Sequence, residues 1–244
     1  MSEKDLGETF KQYFEIIPAY PETLKEEVYR IRHRVYCEDL GYEQTTLERR
    51  EIDKYDAHSL HLLLRSTQKN EFIGCVRIIC TQPSNPEQLL PFQESCAAVL
   101  DRSIIDPAKL PRHKIAEASR LAVVSDYRRR KGEATTAISI SDEDFGSSQQ
   151  PRFPYIPVAL FFGTFNLAHA IGIEHLFILT EERLAKHFNK IGFNIKQIGE
   201  PIEHRGKRIP SVFDVSSTIN SIRPNLQSLY RAVSDDISKY TQTS

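Results

Sequence analysis

The chain has 244 residues, of which 40% are hydrophobic and 27% are charged, and 32 Lys and Arg against 33 Asp and Glu leave a net charge of −1. This composition excludes wholesale disorder, a collagen-like chain and a membrane bundle, and a chain of this length needs no disulfide or metal to fold. A protein built mainly to hold nucleic acid is normally basic, so the neutral charge balance argues against that class.

The N-terminus and the cysteines predict a cytoplasmic protein. The first ten residues, MSEKDLGETF, lack the basic and apolar regions of a secretory signal. The four cysteines are Cys37, Cys75, Cys80 and Cys96. They form no CxxC pair and no zinc spacing, so we expect reduced thiols and no metal site. The apolar stretch 156–173 is marginal in length for a bilayer, and we expect a buried helix there rather than a transmembrane segment.

Hydrophobic periodicity predicts a mixed α/β chain. The predicted strands are 12–17, 58–65, 71–80, 114–124, 174–180, 193–198 and 207–215. The predicted helices are 21–36, a short one near 87–99, 157–171, 181–190 with Gly192 following as its cap, and a C-terminal helix from about 218. The polar segment 141–153 is the best candidate for an inserted mobile loop. With no repeat and no linker, residues 1–244 form one domain built on one sheet.

The first helix carries basic residues in the sequence RIRHRVYCEDLGYE. Helical spacing turns Arg30 and Arg34 away from the apolar stripe, so we expect them in solvent. Arg32 borders the stripe, which favours an ion pair or a role in a site.

An acidic loop follows, with Glu51, Asp53 and Asp56. The loop lacks the glycine and spacing of a calcium loop, so a metal site is not favoured. Solvated loop charge is the simplest interpretation, and an acidic pocket that binds an amine or supplies a base is the alternative.

Two charged residues interrupt strands that are otherwise apolar. Arg77 lies inside 71–80 and Glu117 inside 114–124. An unpaired charge in such a strand costs several kcal/mol, so the sequence predicts that the two residues pair with each other. The pair is interpreted either as a structural ion pair or as part of a site.

Glu117 and Arg120 are three residues apart, and a regular strand would send them to opposite faces. We predict a β-bulge at Ala118–Ser119 that brings both side chains to one face. A backbone N–H left unpaired by the bulge could hold a thioester carbonyl or its oxyanion.

A basic turn, RRRKGEA, occupies 128–134 at a predicted helix start. Cations, backbone N–H groups and the helix dipole suit a phosphate or pyrophosphate. A solvated turn or a nucleic-acid patch is the alternative interpretation.

Taken together, these residues resemble the acyl-homoserine-lactone (autoinducer) synthases and the related long-chain N-acyl amino acid synthases of the GNAT superfamily. The resemblance spans about residues 10–215 and is closest to the acyltransferases associated with the PEP-CTERM/exosortase system. The matching residues are Arg32, Tyr36 and Tyr42 in the first helix and its loop, Glu51, Asp53 and Asp56 as E-x-D-x-x-D, Arg77 as the strand arginine, Glu117, Ser119 and Arg120 as E-x-S-R, Thr180 to Gly192 as the later Thr–Gly pattern, and Arg129, Gly132 and Ala134 as the pyrophosphate turn.

The resemblance implies a GNAT-like α/β (α+β) fold with a single mixed, mostly antiparallel sheet flanked by helices. It implies an N-acyltransferase that moves a fatty acyl group from acyl carrier protein or acyl-CoA to the α-amine of an amino acid or a related small amine, with no tightly bound cofactor. The alternatives are an acyl-homoserine-lactone synthase using S-adenosylmethionine, a coenzyme A-dependent acetyltransferase, and a non-catalytic module that binds a carrier protein.

The resemblance also assigns roles to residues. Glu51, Glu117, Arg77 and Arg120 would be catalytic, with Glu51 and Glu117 as the two candidate bases. Arg32, Tyr36, Tyr42, Asp53, Asp56, Ser119 and Thr180 would bind substrate, and Arg32 and Arg77 would either hold the acceptor carboxylate or organise the acidic residues. Arg129, Lys131, Gly132 and Ala134 would hold the phosphate end of the acyl donor.

Overall fold

The computed structural model describes residues 5–82, 84–128 and 153–241. Eight strands form the sheet: β1 (Phe14–Pro18), β2 (Ser59–Ser66), β3 (Glu71–Cys80), β4 (Ile115–Val123), β5 (His175–Thr180), β6 (Ile195–Gln197), β7 (Ile202–Glu203) and β8 (Lys207–Asp214). The described residues also form seven α-helices around it: α1 (Leu6–Tyr13), α2 (Glu22–Arg32), α3 (Pro91–Ser95), α4 (Tyr155–Ala170), α5 (Glu182–Lys190), α6 (Val215–Asn220) and α7 (Gln227–Thr241).

The strands follow the order β1-β2-β3-β4-β5-β8-β6, with β7 paired to β8. Every pairing is antiparallel except that of β4 with β5, which is parallel. The predicted class, a mixed and mostly antiparallel sheet flanked by helices, is therefore confirmed, and the fold is GNAT-like.

Helix α4 is the apolar segment of the chain and forms the centre of the core. It is buried on nearly all sides, in contact with β2, β3 and α7. A side chain at Gly163 would come within 2.9 Å of Leu62 on β2, so the glycine allows α4 to pack directly on the sheet. The prediction of a buried helix is confirmed, and among the described residues no helix is long and apolar enough to cross a membrane.

Several elements differ from the predicted ones. The short helix near 87–99 is only Pro91–Ser95, and β7 was not predicted. The chain begins with α1, capped by the Asp5 side chain, which accepts a hydrogen bond from the Glu8 backbone, and β1 starts only at Phe14. The predicted helix 21–36 is α-helical to Arg32 and then widens into a π-helix, His33–Asp39. The predicted C-terminal helix is two helices, α6 and α7.

The β4–β5 pairing is short. Residues 115–118 of β4 pair with 175–178 of β5, and beyond that point the two strands have no paired residues. The sheet thus opens between the second half of β4 and the end of β5. Most of the predicted mobile segment, residues 141–152, lies outside the described residues.

Candidate active site

A cavity of about 320 Å³ lies where β4 and β5 separate. Of the predicted site residues it is lined by Tyr36, Tyr42, Asp53, Arg77, Glu117, Ser119, Arg120 and Thr180. Arg32, Glu51 and Asp56 do not line it, but all three are buried. Glu51 and Asp56 accept hydrogen bonds from the lining residues Arg120 and Arg77, and Arg32 donates in turn to Glu51 and Asp56. The structure therefore brings the predicted catalytic and acceptor residues of the described chain into one site.

Strand β4 carries a bulge beside this cavity. Arg77 on β3 is opposite Ser119, whereas Cys75 is opposite Ala122, so two β4 residues face one residue of β3. The two bulge residues are Arg120 and Leu121, which lie opposite Val76, and Arg120 has a φ of +51°. The predicted bulge is confirmed, and Glu117 and Arg120 both reach the cavity. Its predicted place, Ala118–Ser119, was wrong by two residues.

Side chains bond to the carbonyl oxygens of the bulge. The Tyr36 hydroxyl donates to the carbonyl of Leu121 at 2.9 Å, and the Cys75 thiol lies 3.8 Å from the carbonyl of Arg120. The Arg120 guanidinium also lies 5.5 Å from the centre of the Tyr36 ring. The π-helical turn that carries Tyr36 therefore contacts both the backbone and the side chain of the bulge.

Buried arginine side chains donate hydrogen bonds to the carboxylates of the acidic loop. The Arg32 side chain is fully buried and donates to both oxygens of Asp56, at 2.6 and 3.1 Å, and to Glu51. These bonds hold the pKa of Asp56 well below its ordinary value, although burial alone would raise it. Arg32 thus organises the acidic residues, and with no exposed surface it cannot reach a substrate carboxylate.

Arg77 pairs with the acidic loop and not with Glu117. It donates to Asp53 at 2.7 Å, to Asp56 at 2.9 Å and to the Ser119 hydroxyl at 3.0 Å. The predicted Arg77–Glu117 ion pair was therefore wrong. The loop residues supply two carboxylates at the end of the Arg77 side chain, and these already balance its charge.

Arg120 completes the set. It donates to Glu51 through two nitrogens, at 3.1 and 2.9 Å, and lies within 3.4 Å of Asp53 and 3.3 Å of Glu43. Because Glu51 accepts from both Arg32 and Arg120, its pKa is lowered despite its burial. A carboxylate in this state is a poor proton acceptor.

Glu117 has the opposite environment. Its side chain is buried and lines the cavity, and among the described residues it accepts one hydrogen bond, from the backbone N–H of Phe92 at 2.8 Å. Burial raises the pKa of Glu117 to about 7, against the weaker opposing effects of the Phe92 bond, Arg77 and Arg120. A carboxyl group with a pKa near neutrality can exchange a proton at working pH.

Thr180 and Tyr42 also line this cavity. Thr180, the last residue of β5, is 1% exposed, and its hydroxyl oxygen has no hydrogen-bond partner in the described part of the chain. Tyr42 follows the π-helix, and its backbone N–H donates to the Tyr36 carbonyl at 2.8 Å. Both positions suit contact with a bound molecule.

Sequence reasoning missed several residues that line the cavity, and three of them lie together on one hairpin. His204, Arg205 and Arg208 lie on the β7–β8 hairpin. The sequence offers one signal for them, an Arg-Gly pair at the turn just before a predicted strand, but such a pair is usually a solvated turn.

Two further expectations concern the donor and metals. Arg129, Lys131, Gly132 and Ala134 lie outside the described residues, so the phosphate-binding turn stays a prediction. No group of three His, Cys, Asp or Glu residues within 5–82, 84–128 and 153–241 could hold a metal ion. The acidic loop residues are instead bonded to arginines.

Comparison with known proteins agrees with the GNAT-like fold. The family model described as "Acetyltransferase (GNAT) domain" matches residues 31–137, the part of the chain that carries the acidic loop, β3, β4 and the bulge. The match covers less than half of the chain, and together with the mostly antiparallel sheet it supports a GNAT-like fold. No curated protein sequence matches the chain.

Solved structures show the same fold at low identity. TofI, in a ternary complex with an inhibitor and MTA, is 19% identical, with a TM-score of 0.60 over 87% of this chain and 99% of TofI. BjaI, a CoA-dependent acyl-homoserine lactone synthase with SAM and isopentyl-CoA, is 21% identical, with a TM-score of 0.56 over 92% of this chain and 89% of BjaI. FeeM, an N-acyl amino acid synthase from uncultured soil microbes, is 14% identical, with a TM-score of 0.54 over 86% and 94% of the two chains.

Proposed function

We propose that the protein transfers a fatty acyl group from an acyl thioester, carried on acyl carrier protein or coenzyme A, to the α-amine of an amino acid. The observation that carries this proposal is Glu117, a buried carboxyl group with a pKa of about 7 on the wall of the cavity. Aminolysis of a thioester needs a base of this strength beside the amine.

The opening between β4 and β5 supports a thioester donor. Backbone groups of β4 beyond Ala118 have no partners on β5, so an extended amide-containing arm such as pantetheine could bond to them as a strand would. The bulge at Arg120–Leu121 turns backbone N–H groups out of the ladder, which suits them to a developing oxyanion.

The reaction that fits this site is direct attack. Glu117, as the carboxylate, takes a proton from the acceptor ammonium or from the attacking nitrogen, directly or through one water. The nitrogen forms a bond to the thioester carbon, and the oxygen bears the negative charge. When the carbonyl re-forms, the carbon–sulfur bond breaks, and the thiolate leaves and is protonated. The products are an amide and the free carrier thiol.

The other candidate base, Glu51, fits the role poorly. Its two oxygens accept from Arg32 and Arg120, and these guanidinium groups lower its pKa. Protonating Glu51 would leave two buried cations short of a partner, which costs several kcal/mol. We therefore assign Glu51 to positioning Arg120 and Glu117 to proton transfer.

The apolar part of the cavity supports a fatty acyl chain. Val76 from β3, Phe161 from α4 and Leu184 from α5 line it, and they are all buried. Contact with such a wall favours a chain of methylene groups by about 0.8 kcal/mol for each one buried.

Product analysis tests the proposal. The purified protein is incubated with acyl-CoA and acyl carrier protein thioesters of graded chain length, a mixture of amino acids and S-adenosylmethionine, and products are identified by mass spectrometry. We expect N-acyl amino acids, formed by the wild type and nearly abolished in Glu117→Gln. A homoserine lactone as the main product, or no amide from any donor, would overturn the proposal.

A further inference from the structure

We infer that Arg205 and Arg208, with His204, form the binding site for the carboxylate group of the acceptor. This inference rests on the proposed function and adds to it which residues recognise the acceptor as an amino acid. All three residues line the cavity that Glu117 lines.

The other guanidinium groups of the site are already engaged. Arg32 is fully buried, and Arg77 is 1% exposed and bonded to Asp53, Asp56 and Ser119. Arg120 donates twice to Glu51, as described above. Arg77 and Arg120 line the cavity, but each already faces two or more carboxylates, so a further carboxylate gains less there than beside a cation with a single acidic partner.

The hairpin arginines are placed differently. The side chains of Arg205 and Arg208 are 26% and 18% exposed, so an entering molecule can reach them. Arg205 donates to Glu43, and Arg208 donates to Glu181 at 2.9 Å and to the Arg205 carbonyl at 3.2 Å. A guanidinium group has five N–H donors, so these bonds leave capacity for a carboxylate beside them.

The turn that carries Arg205 is strained and held in place. The turn between β7 and β8 is His204–Gly206, and Arg205 has a φ of +53°, in the left-handed region that favours glycine. The Glu43 carboxylate that Arg205 contacts also lies 3.3 Å from Arg120 on β4. Glu43 therefore ties the hairpin to β4 across the opening between β4 and β5. Strained non-glycine residues held in this way are common in binding sites.

His204 adds a polar group without adding charge. Burial and the nearby cations Arg120 and Arg208 lower the pKa of His204, so its ring is neutral at pH 7. The same effect indicates that this end of the cavity is electropositive. A neutral imidazole can donate one hydrogen bond to an anion there.

An amino acid carries the two groups that the cavity is built to receive. Its amine matches Glu117, the proton acceptor, and its carboxylate matches the hairpin cations. A simple amine lacks the second group, and we therefore expect selection for α-amino acids over amines and amino amides.

The anion could also come from the phosphate of the donor, and the experiment separates the two sources. Initial rates are measured with an equimolar mixture of amino acids and with the corresponding mixture of primary amides. Each acceptor set is tested with acyl-CoA and with an acyl N-acetylcysteamine thioester, which has no phosphate. The variants are Arg205→Gln and Arg208→Gln, and Lys207→Gln is the matched control, because Lys207 lies on the same hairpin but does not line the cavity.

We expect each arginine variant to raise the KM for amino acids by about 10- to 100-fold, the loss that corresponds to one charge-assisted hydrogen bond. The KM for amides, the donor KM and kcat should change little, and Lys207→Gln should behave as the wild type. A rise in KM for acyl-CoA alone would assign the site to the donor phosphate and overturn the inference. Equal losses with amino acids and amides would assign the arginines a structural role and also overturn it.

Failure of the proposed function itself is distinguishable. If the wild type acylates no amine, equilibrium dialysis of the labelled amino-acid mixture against the wild type and Arg208→Gln still tests the carboxylate site. Weaker binding to the variant, with no effect on binding of the amides, would support the site, and equal binding would overturn it.

Discussion

The Tyr36 hydroxyl donates a hydrogen bond to the Leu121 carbonyl across 2.9 Å. Because Leu121 belongs to the bulge, this bond fixes where the bulge directs its backbone N–H groups. Tyr36→Phe keeps the ring under Arg120 and removes the bond. We expect kcat to fall about fivefold, the rate equivalent of about 1 kcal/mol, with little change in either KM.

Steady-state kinetics of Tyr36→Phe beside Tyr20→Phe tests this role. Tyr20 is 39% exposed and does not line the cavity, so its variant should behave as the wild type. A Tyr36 variant that is less stable to heat but has an unchanged kcat would show that the bond serves the fold alone.

The pH dependence of the reaction should report Glu117. Only the carboxylate form accepts a proton, so kcat should rise with pH and level off above about 7, where burial places the pKa of Glu117. Glu117→Gln should lower kcat by about 10²- to 10⁴-fold. The control is Glu94→Gln, at a more exposed carboxyl group that lines the same cavity. This variant should keep the rise of kcat with pH that the wild type shows. If the residual kcat of Glu117→Gln rose with pH over the same range as that of the wild type, the base would be another residue.

The same carboxyl group should affect stability in the opposite direction. The folded state holds the proton of Glu117 up to about pH 7, whereas the unfolded state releases it near its ordinary value of 4.5. The free energy of unfolding should therefore fall as pH rises between these values. Glu117→Gln should remove this decline, as measured by denaturant unfolding at a series of pH values.

Direct attack needs no acyl-enzyme, so the cysteines should not be nucleophiles. Cys75 is the one nearest the bulge, and burial raises its pKa to about 12, which leaves almost no thiolate at neutral pH. Cys75→Ala should keep substantial activity. Intact-protein mass spectrometry after rapid quenching should find no acyl group on cysteine, and an acyl adduct that turns over would contradict the mechanism.

Asp56 should be important for acid stability. The buried bonds from Arg32 and Arg77 lower its pKa, so the unfolded state takes up the proton first as pH falls. The stabilisation is present above its ordinary pKa of about 3.8 and is lost at lower pH. Asp56→Asn should lower the free energy of unfolding at pH 7 by about 3–5 kcal/mol, because it leaves two buried cations short of a partner.

An exposed aspartate provides the control for this measurement. Asp235 pairs with Lys11 on the surface, and both side chains are about half exposed. Asp235→Asn should cost less than about 1 kcal/mol. If the two variants were equally stable, the buried network would have no net stabilising role.

The basic turn at 128–134 stays a prediction from the sequence. If it grips the phosphate end of the donor, charge reversal at Arg129 and Lys131 should raise the donor KM and weaken its salt dependence, with kcat less affected. Titration of the donor at low and high salt measures this. An unchanged donor KM at low salt would refute the assignment.

The sequence predicted the bulge of the site correctly because one strand contains two residues that a regular ladder cannot place on the same face. Glu117 and Arg120 cannot both face one side of a flat strand, and the bulge follows from that conflict. Its position did not follow, because the residue that takes the left-handed conformation is Arg120 itself, held by Glu51 and the Tyr36 ring. These partners come from distant segments, and no local pattern reveals them.

The ion-pair partners of Arg77 could not be predicted from the sequence for the same reason. Arg77 and Glu117 are charged residues inside otherwise apolar neighbouring strands, which suggests that they pair, but the ladder puts Arg77 opposite Ser119 and Glu117 opposite Ile79. Arg77 instead donates to Asp53 and Asp56, which lie on a loop that is distant in the sequence. Within the described part of the chain, Glu117 is thereby left without a cation bonded to it, and its burial gives it the raised pKa on which the proposed chemistry depends.

The short β4–β5 pairing has a thermodynamic consequence. Four residue pairs are the whole ladder between the two halves of the described sheet, β1–β4 and β5–β8. A donor arm lying in the opening would extend that ladder and occupy the place of missing main chain. Because the donor would bind only the folded sheet, its binding would stabilise the folded state. A donor at 100 times its Kd would add about 2.7 kcal/mol to the free energy of unfolding. The melting temperature of this protein would thus identify its donor before any turnover is measured.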